Sequence, residues 1–342
     1  MTLRGVSLAS VAALFAVIAP VSANQSAQDQ SKAVPILWKD PGKVADRDLF
    51  WGSGDSTKAP KAPFTFVAED ATGTNPKITV TDAQGMKWSV KFATSESKNE
   101  VHSEVAASRL VWALGYMVED VYFVASGRIE GATKLNRARE SVAADGTFTA
   151  ARFESRDPAM QRTGRTWSLD KNPFKDTREL SGLKIMLAML SNWDTKESNT
   201  DILEVRTPAG PLEARYIISD LGATFGKMGS GPDFLTGRSR WDLEDFQKSP
   251  FVKEVKDGKL ALRYTGVATI DDVPLEHARW FSGLASQLTE TQVRRAFEAA
   301  GATEAEVMGY SARLLQKIGE LRDAVGLSTG VGSSAPTRRL VP

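Results

Sequence analysis

The stretch Asn192 to Thr200, "NWDTKESNT", sets a carboxylate (Asp194), an amine (Lys196) and a carboxamide (Asn199) within six residues. It follows directly on an apolar run, "RELSGLKIMLAML". Leu180, Leu183, Leu187 and Leu190 recur there at helical spacing, and Asp176 with Glu179 has the pattern of a capping box at the start. Two strand-like segments come next, "TDILEV" and "RYIISD", joined by the turn "RTPAGPLEA". The second strand ends in "ISDLG", which brings Asp220 back beside the polar loop, just before Gly222. A polar loop held between a greasy helix and a hairpin is the usual setting for chemistry on a rigid scaffold.

Upstream, "FTFVAED", "KITVTD" and "MKWSVKF" alternate β-branched or aromatic residues with polar ones. They are separated by "ATGTNP" and "AQG", and so predict a three-stranded antiparallel meander. A helix is expected from about Ser97 to Leu114, with Val101, Val105, Ala106 and Trp112 on one side and Gly115 as its stop. "YMVEDVYFV" reads as a further strand. Residues 135–172 are polar with little periodicity and read as a connection or insertion. Residues 24–62 read as an extension ordered by contact, anchored by Ile36, Leu37, Trp38, Leu49, Phe50 and Trp51. Further capping boxes stand at Thr289 with Gln292 and at Thr303 with Glu306. The second opens a helix carrying Val307, Tyr310, Leu314, Ile318, Leu321 and Val325, ended by Gly326. Residues 327–342 read as a disordered tail.

The 342 residues are 42% hydrophobic and 25% charged, enough for a sizeable core and unlike a disordered chain. Residues 1–23, with Arg4 ahead of an apolar run and Val21-Ser22-Ala23 at its end, have the layout of a signal peptide cleaved after Ala23. The protein is therefore expected in the periplasm or secreted, with no stable membrane insertion after cleavage. Lys+Arg number 43 and Asp+Glu 42, and cleavage removes one base (Arg4) and no acid. A neutral mature chain has no global field to draw in nucleic acid, so any charged ligand needs a local arrangement. The absence of cysteine excludes disulfides, zinc thiolates and a lipid-modified cysteine. With only His102 and His277, histidine metal sites and histidine-dependent triads are poorly supported.

Transfer of a phosphoryl group from ATP needs a cation to grip the phosphates and hard oxygen ligands for magnesium. It also needs a carboxylate that orients the acceptor hydroxyl and takes its proton. Asp194 offers the carboxylate, Lys196 a charge for the moving phosphoryl, and Asn199 and Asp220 oxygen ligands for Mg2+ or Mn2+. Lys91 sits in the third meander strand, and Glu104 lies on the following helix. A strand lysine and a helix glutamate so spaced can pair and aim the amine at the phosphates.

The order strand Lys91, helix Glu104, "D-x-K-x-x-N" from Asp194 and strand-terminal "D-x-G" from Asp220 resembles the protein kinase superfamily over roughly residues 60–230. "EVAASRLVWALGY" and "DLGATFG" look more like its atypical branch of HipA-type, secretory-pathway and phosphoinositide kinases. The resemblance implies a two-lobed α+β fold: a small antiparallel β lobe with one helix (63–130) and a larger, mainly helical lobe (131–326). It also implies an ATP-dependent phosphotransferase with Lys91, Glu104 and Gly73 at the nucleotide, Asp194 and Lys196 catalytic, and Asn199 and Asp220 on the metal. The acceptor stays open among protein, lipid and sugar hydroxyls, and transfer of AMP in place of phosphate stays open too. So does a catalytically silent, pseudokinase-like binding module. Three departures stand out: "ATGTNPK" has one glycine, Gly73, in place of a glycine-rich loop; Asn192 and Trp193 replace His-Arg before Asp194; and Leu221 stands in "DLG". Glu100, one turn from Glu104, is an alternative partner for Lys91, although the HipA-like pattern favours Glu104. Ser95-x-x-Lys98, with Ser219 and Lys227, echoes penicillin-binding enzymes, but the last two boxes lie too close together for that chemistry.

Overall fold

The structure is a computed structural model that describes residues 33–71, 75–94, 100–208, 210–229 and 237–327. The expected signal peptide, Gly73 and the tail from residue 328 lie outside the described residues, as does Ser95–Asn99 with its Ser-x-x-Lys echo.

The fold is two-lobed and α+β. The small lobe is a closed barrel of five strands: β2 (Phe64–Glu69), β3 (Lys77–Thr81), β4 (Lys87–Phe92), β5 (Val121–Glu130) and β6 (Thr147–Ser155). Their order is β2-β3-β4-β6-β5. Neighbours are antiparallel except at the β2–β5 seam, where Phe64 faces Ile129 in a parallel pairing. Alternation sends Ile78, Val80, Trp88, Val90 and Phe153 into the barrel, where Phe64 and Phe148 close the core. The opposite face carries Lys77, Lys91 and Arg152 in one register row, because Lys77 pairs with Lys91 and Lys91 with Arg152.

Helix α1 (Glu100–Ala113) follows β4. Only one apolar side was expected, but α1 is buried nearly all round. Its Val105, Ala106, Leu110 and Val111 join the core of the large lobe, so the helix is clamped between the lobes. Gly115 stops it at φ +90°, where a Cβ would press on the Lys39 carbonyl. That carbonyl belongs to the N-terminal extension, whose Lys39 N–H donates to the Gly115 carbonyl at 2.9 Å. Gly115→Ala is expected to cost about 1–3 kcal/mol in a urea unfolding titration, through the forbidden φ and the backbone collision together.

The large lobe carries α2 (Arg178–Met189), α3 (Leu243–Lys248), α4 (Leu275–Ala285), α5 (Glu290–Ala299) and α6 (Glu304–Ala324). One of its sheets runs β1-β9-β8-β7, from β1 (Val34–Ile36), β7 (Met160–Arg162), β8 (Thr200–Arg206) and β9 (Leu212–Ile218). The other is the antiparallel set β10 (Val252–Lys256), β11 (Lys259–Leu262) and β12 (Val273–Pro274). The extension is bound, with β1 parallel to β9 and Leu37, Val44 and Leu49 in the core. Both capping boxes, at Thr289 and Thr303, are formed. Among the described residues no helix is long and apolar enough to cross a membrane.

Several sequence expectations need correction. Residues 135–172 are not merely a polar insertion. They contain β6, paired to both β4 and β5 in the middle of the barrel, so the barrel runs on to Ser155. The strand expected from Tyr116 starts at Val121. Helix α2 is capped by Thr177, whose side chain accepts from Leu180 N–H at 3.2 Å, while Asp176 sits at φ +64° before it. Thr177 takes the cap because its backbone there is extended, as an N-cap requires.

Candidate active site

Helix α2 ends at Met189 with Leu190 as its C-cap, and the polar loop is then fixed from several sides. Asn192 N–H donates to Leu187 O at 2.9 Å, and Trp193 N–H to Ala223 O at 3.3 Å. The buried Lys317 of α6 donates to Met189 O and Ser191 Oγ at 3.0 Å and to Ser249 Oγ at 2.8 Å. Burial drives its ammonium well below the ordinary lysine value. Trp193 is packed under the guanidinium groups of Arg238 and Arg240, 4.5 and 5.3 Å from its ring centre.

The backbone of Asp194 is clamped at both ends. Its N–H donates to Asn192 Oδ1 at 3.1 Å, and its carbonyl accepts from Asn199 Nδ2 at 2.8 Å. Its carboxylate is reachable and accepts from Lys196 Nζ at 2.8 Å. Asn199 closes a single 3-10 turn, Glu197–Asn199, and its carbonyl accepts from both Ser219 and Asp220 N–H groups. The hairpin of β8 and β9, with Thr200 opposite Ile218, thus places Asp220 next to Asn199.

From the barrel, Lys91 Nζ reaches across to α1 and donates to Glu100 Oε1 at 2.7 Å and Glu104 Oε2 at 2.9 Å. The alternatives left open by spacing are both occupied, since the two glutamates lie one turn apart on the same buried face. Burial pushes the Lys91 ammonium down, but the carboxylates of Glu104 and Asp220 outweigh it and hold it above the ordinary lysine value. Burial likewise raises the Glu104 carboxyl. For Asp220, burial is overcome by Lys91 and by the Gly222 N–H at 3.0 Å, which leave the carboxyl below its usual range. Carboxylate oxygens of Glu100, Glu104 and Asp220 all lie within 4.8 Å of one another.

Lys91, Glu104, Asp194, Lys196, Asn199 and Asp220 therefore line one cleft of about 520 Å³ between barrel and large lobe. The cleft also holds residues that the sequence reading passed over. Arg152 pairs with Glu104 at 3.1 Å and with Glu154. Glu154 further accepts from Arg156 at 2.7 Å and from Arg162 at 2.6 Å, and Arg162 also binds Glu119. Arg240 reaches Glu100 at 2.7 Å and so ties the large lobe to α1. One signal was available for Arg152 and Glu154: they alternate with Ala151 and Phe153 as a strand would.

Asp220 and Asn199 suit a hard divalent cation, and Lys91 with Lys196 suits a phosphate chain. A purine fits less well, because among the described residues facing the cleft only Ala223 is apolar.

The strand order, the strand lysine braced by a helix glutamate, and the placement of Asp194, Asn199 and Asp220 together describe a kinase-like fold. Among solved structures the chain is similar to the proinflammatory kinase CtkA of Helicobacter pylori, at 13% identity and a TM-score of 0.45. That likeness covers 78% of this chain and 98% of that one. It is also similar to a Rio2 kinase–ADP/Mg2+–phosphoaspartate complex from Chaetomium thermophilum, at 13% identity and a TM-score of 0.30, over 75% of this chain and 72% of that one. A third likeness, at 11% identity and a TM-score of 0.20, is to an apo pseudokinase and covers 96% of this chain and all 100% of that one. No family model matches the chain, and no curated protein matches it.

Proposed function

We propose that the protein is a phosphotransferase that moves a phosphoryl group from a phosphoanhydride donor to a hydroxyl acceptor outside the cytoplasm. The observation that carries this reading is the convergence of Lys91, Asp194, Lys196, Asn199 and Asp220, from separate elements, on one cleft. Lys91, fixed by Glu100 and Glu104, grips donor oxygens. Asp220 and Asn199 hold Mg2+ or Mn2+, which when bound supplies neutralisation of phosphate charge. Asp194 orients the acceptor hydroxyl and takes its proton, and Lys196 offsets charge on the group in flight. The acceptor is a protein, lipid or sugar hydroxyl. The location rests on the signal-peptide reading of residues 1–23.

ATP is the donor implied by the sequence resemblance, and its phosphate half is the half that these residues fit. Metal-dependent binding of the donor is expected in wild type and is expected to fall at least about tenfold in Asp220→Ala, measured by calorimetry with and without Mn2+. Binding unchanged by that substitution would remove the metal role. A second reading, a polyanion-binding module without turnover, is favoured by the Lys196 ammonium seated on the Asp194 carboxylate at 2.8 Å. Labelled donor tried against protein, lipid and sugar acceptors separates the two. Transfer that disappears in Asp194→Ala supports the phosphotransferase, and binding with no transfer to any acceptor supports the module.

A further inference from the structure

A nucleotide has two unlike halves, a charged phosphate chain and a flat base. Burying the base requires apolar faces and a few free hydrogen-bonding groups. The cleft offers the first half a great deal and the second very little. Of the 18 described residues lining it, 13 are charged, seven basic and six acidic, and Ala223 alone is apolar. In the row beside Lys91, Ser89 pairs with Glu154. Glu154 is the hub of an ion cluster with Arg152, Arg156 and Arg162. Three backbone donors leading out of β6 are committed: Ser155 N–H to Asp120 O, Arg156 N–H to Lys87 O and Met160 N–H to Asp157 O. Ala159 N–H is spent on the Asp157 side chain.

The same feature that repels a base suits a longer chain of phosphates. Lys77, Lys91 and Arg152 stand in one row of the barrel, and Arg156 and, from β7, Arg162 line the same cleft. Lys91 and the three arginines also pair with carboxylates, which phosphate oxygens would share or displace. The last two keep 32% and 35% of their side chains exposed, so a ligand can reach them. Guanidinium groups bind phosphate oxygens through paired N–H groups.

We infer that the donor is a linear inorganic polyphosphate, held along the lysine and arginine side chains of the cleft with no contribution from a base. This rests on the phosphotransferase reading and specifies its donor. In the step itself, the acceptor oxygen forms a bond to the terminal phosphorus and the bond from that phosphorus to its bridging oxygen breaks. The acceptor proton passes to Asp194, and the shortened polyphosphate leaves with the electron pair of the broken bond. No oxidant or reductant is involved.

The test is calorimetric titration of the mature protein, in Mg2+, with tripolyphosphate, ATP and adenosine. Tripolyphosphate is expected to bind as tightly as ATP, within about threefold, or tighter, and adenosine is expected not to bind. Arg156→Gln/Arg162→Gln is expected to weaken tripolyphosphate at least about tenfold, and full retention of affinity in a folded variant would overturn the placement. If that variant fails to fold, the wild-type ranking decides alone. ATP more than about threefold tighter than tripolyphosphate, or measurable adenosine binding, overturns the inference and leaves the phosphotransferase reading standing. Binding of neither phosphate compound overturns both.

Discussion

Asp194→Asn is expected to lower phosphoryl transfer by about 10²–10⁴-fold while donor affinity stays close to wild type. The loop is held by the Asp194 backbone, through Asn192 Oδ1 and Asn199 Nδ2, and by the Lys317 tether behind it. None of these contacts uses the carboxylate. Its one described partner is Lys196 at 2.8 Å, on an exposed side chain. Replacing an oxygen by an amide nitrogen therefore removes a proton acceptor without loosening the loop. Steady-state kinetics with labelled donor should show the loss in kcat with little change in KM. A matching fall in donor affinity would mean that Asp194 shapes the donor site and does not serve the acceptor.

Arg152→Met is expected to destabilise the fold by about 3–5 kcal/mol, the largest single effect on stability anticipated here. Arg152 is fully buried beside Glu104 and Glu154; burial raises the Glu104 carboxyl even with Arg152 in place, and would raise that of Glu154 without its arginines. Arg152, with Arg156, is what holds the Glu154 carboxyl below its usual range. Removing Arg152 leaves Glu104 with Lys91 alone and Glu154 with Arg156 and Arg162, so two desolvated carboxylates lose the guanidinium buried between them. Urea unfolding measures the loss. The double variant Arg152→Met/Glu154→Gln should regain part of it, because one of the two carboxylates that lost Arg152 is then uncharged. A single-variant loss below about 1 kcal/mol would show that water or Lys91 replaces the arginine.

These two residues also mark what the sequence could and could not disclose. Asp194 was legible because its neighbours are: a run of leucines at helical spacing ends just before it, and two clean strands follow. Asp220 was legible because it terminates one of those strands ahead of a glycine. Lys91 sits in a strand whose alternation is regular, with Trp88 and Val90 inward. Arg152 was hidden. Phe148 is inward as are Ala151 and Phe153, and Ala150 between them has φ +49°, so the period of two breaks inside β6. The alternation of Arg152 and Glu154 with Ala151 and Phe153 is then too short to mark a strand, and both look like solvated charges, although three-dimensional pairing buries them. The near-complete burial of α1 was hidden for a related reason. Its polar positions, Glu100, Glu104 and Arg109, face partners on other elements and not water, and no local pattern reports that. The choice between Glu100 and Glu104 was undecidable from spacing, because Lys91 uses both.

The account depends on a metal–phosphate site between Asn199, Asp220 and Lys91. Crystals soaked with Mn2+ and tripolyphosphate, measured at the manganese absorption edge, test it directly. The expected result is an anomalous peak about 2.0–2.4 Å from both Asn199 Oδ1 and an Asp220 carboxylate oxygen, with phosphate density against Lys91 Nζ. A peak elsewhere on the molecule, or phosphate density that leaves Lys91 and Asp220 untouched, would contradict it.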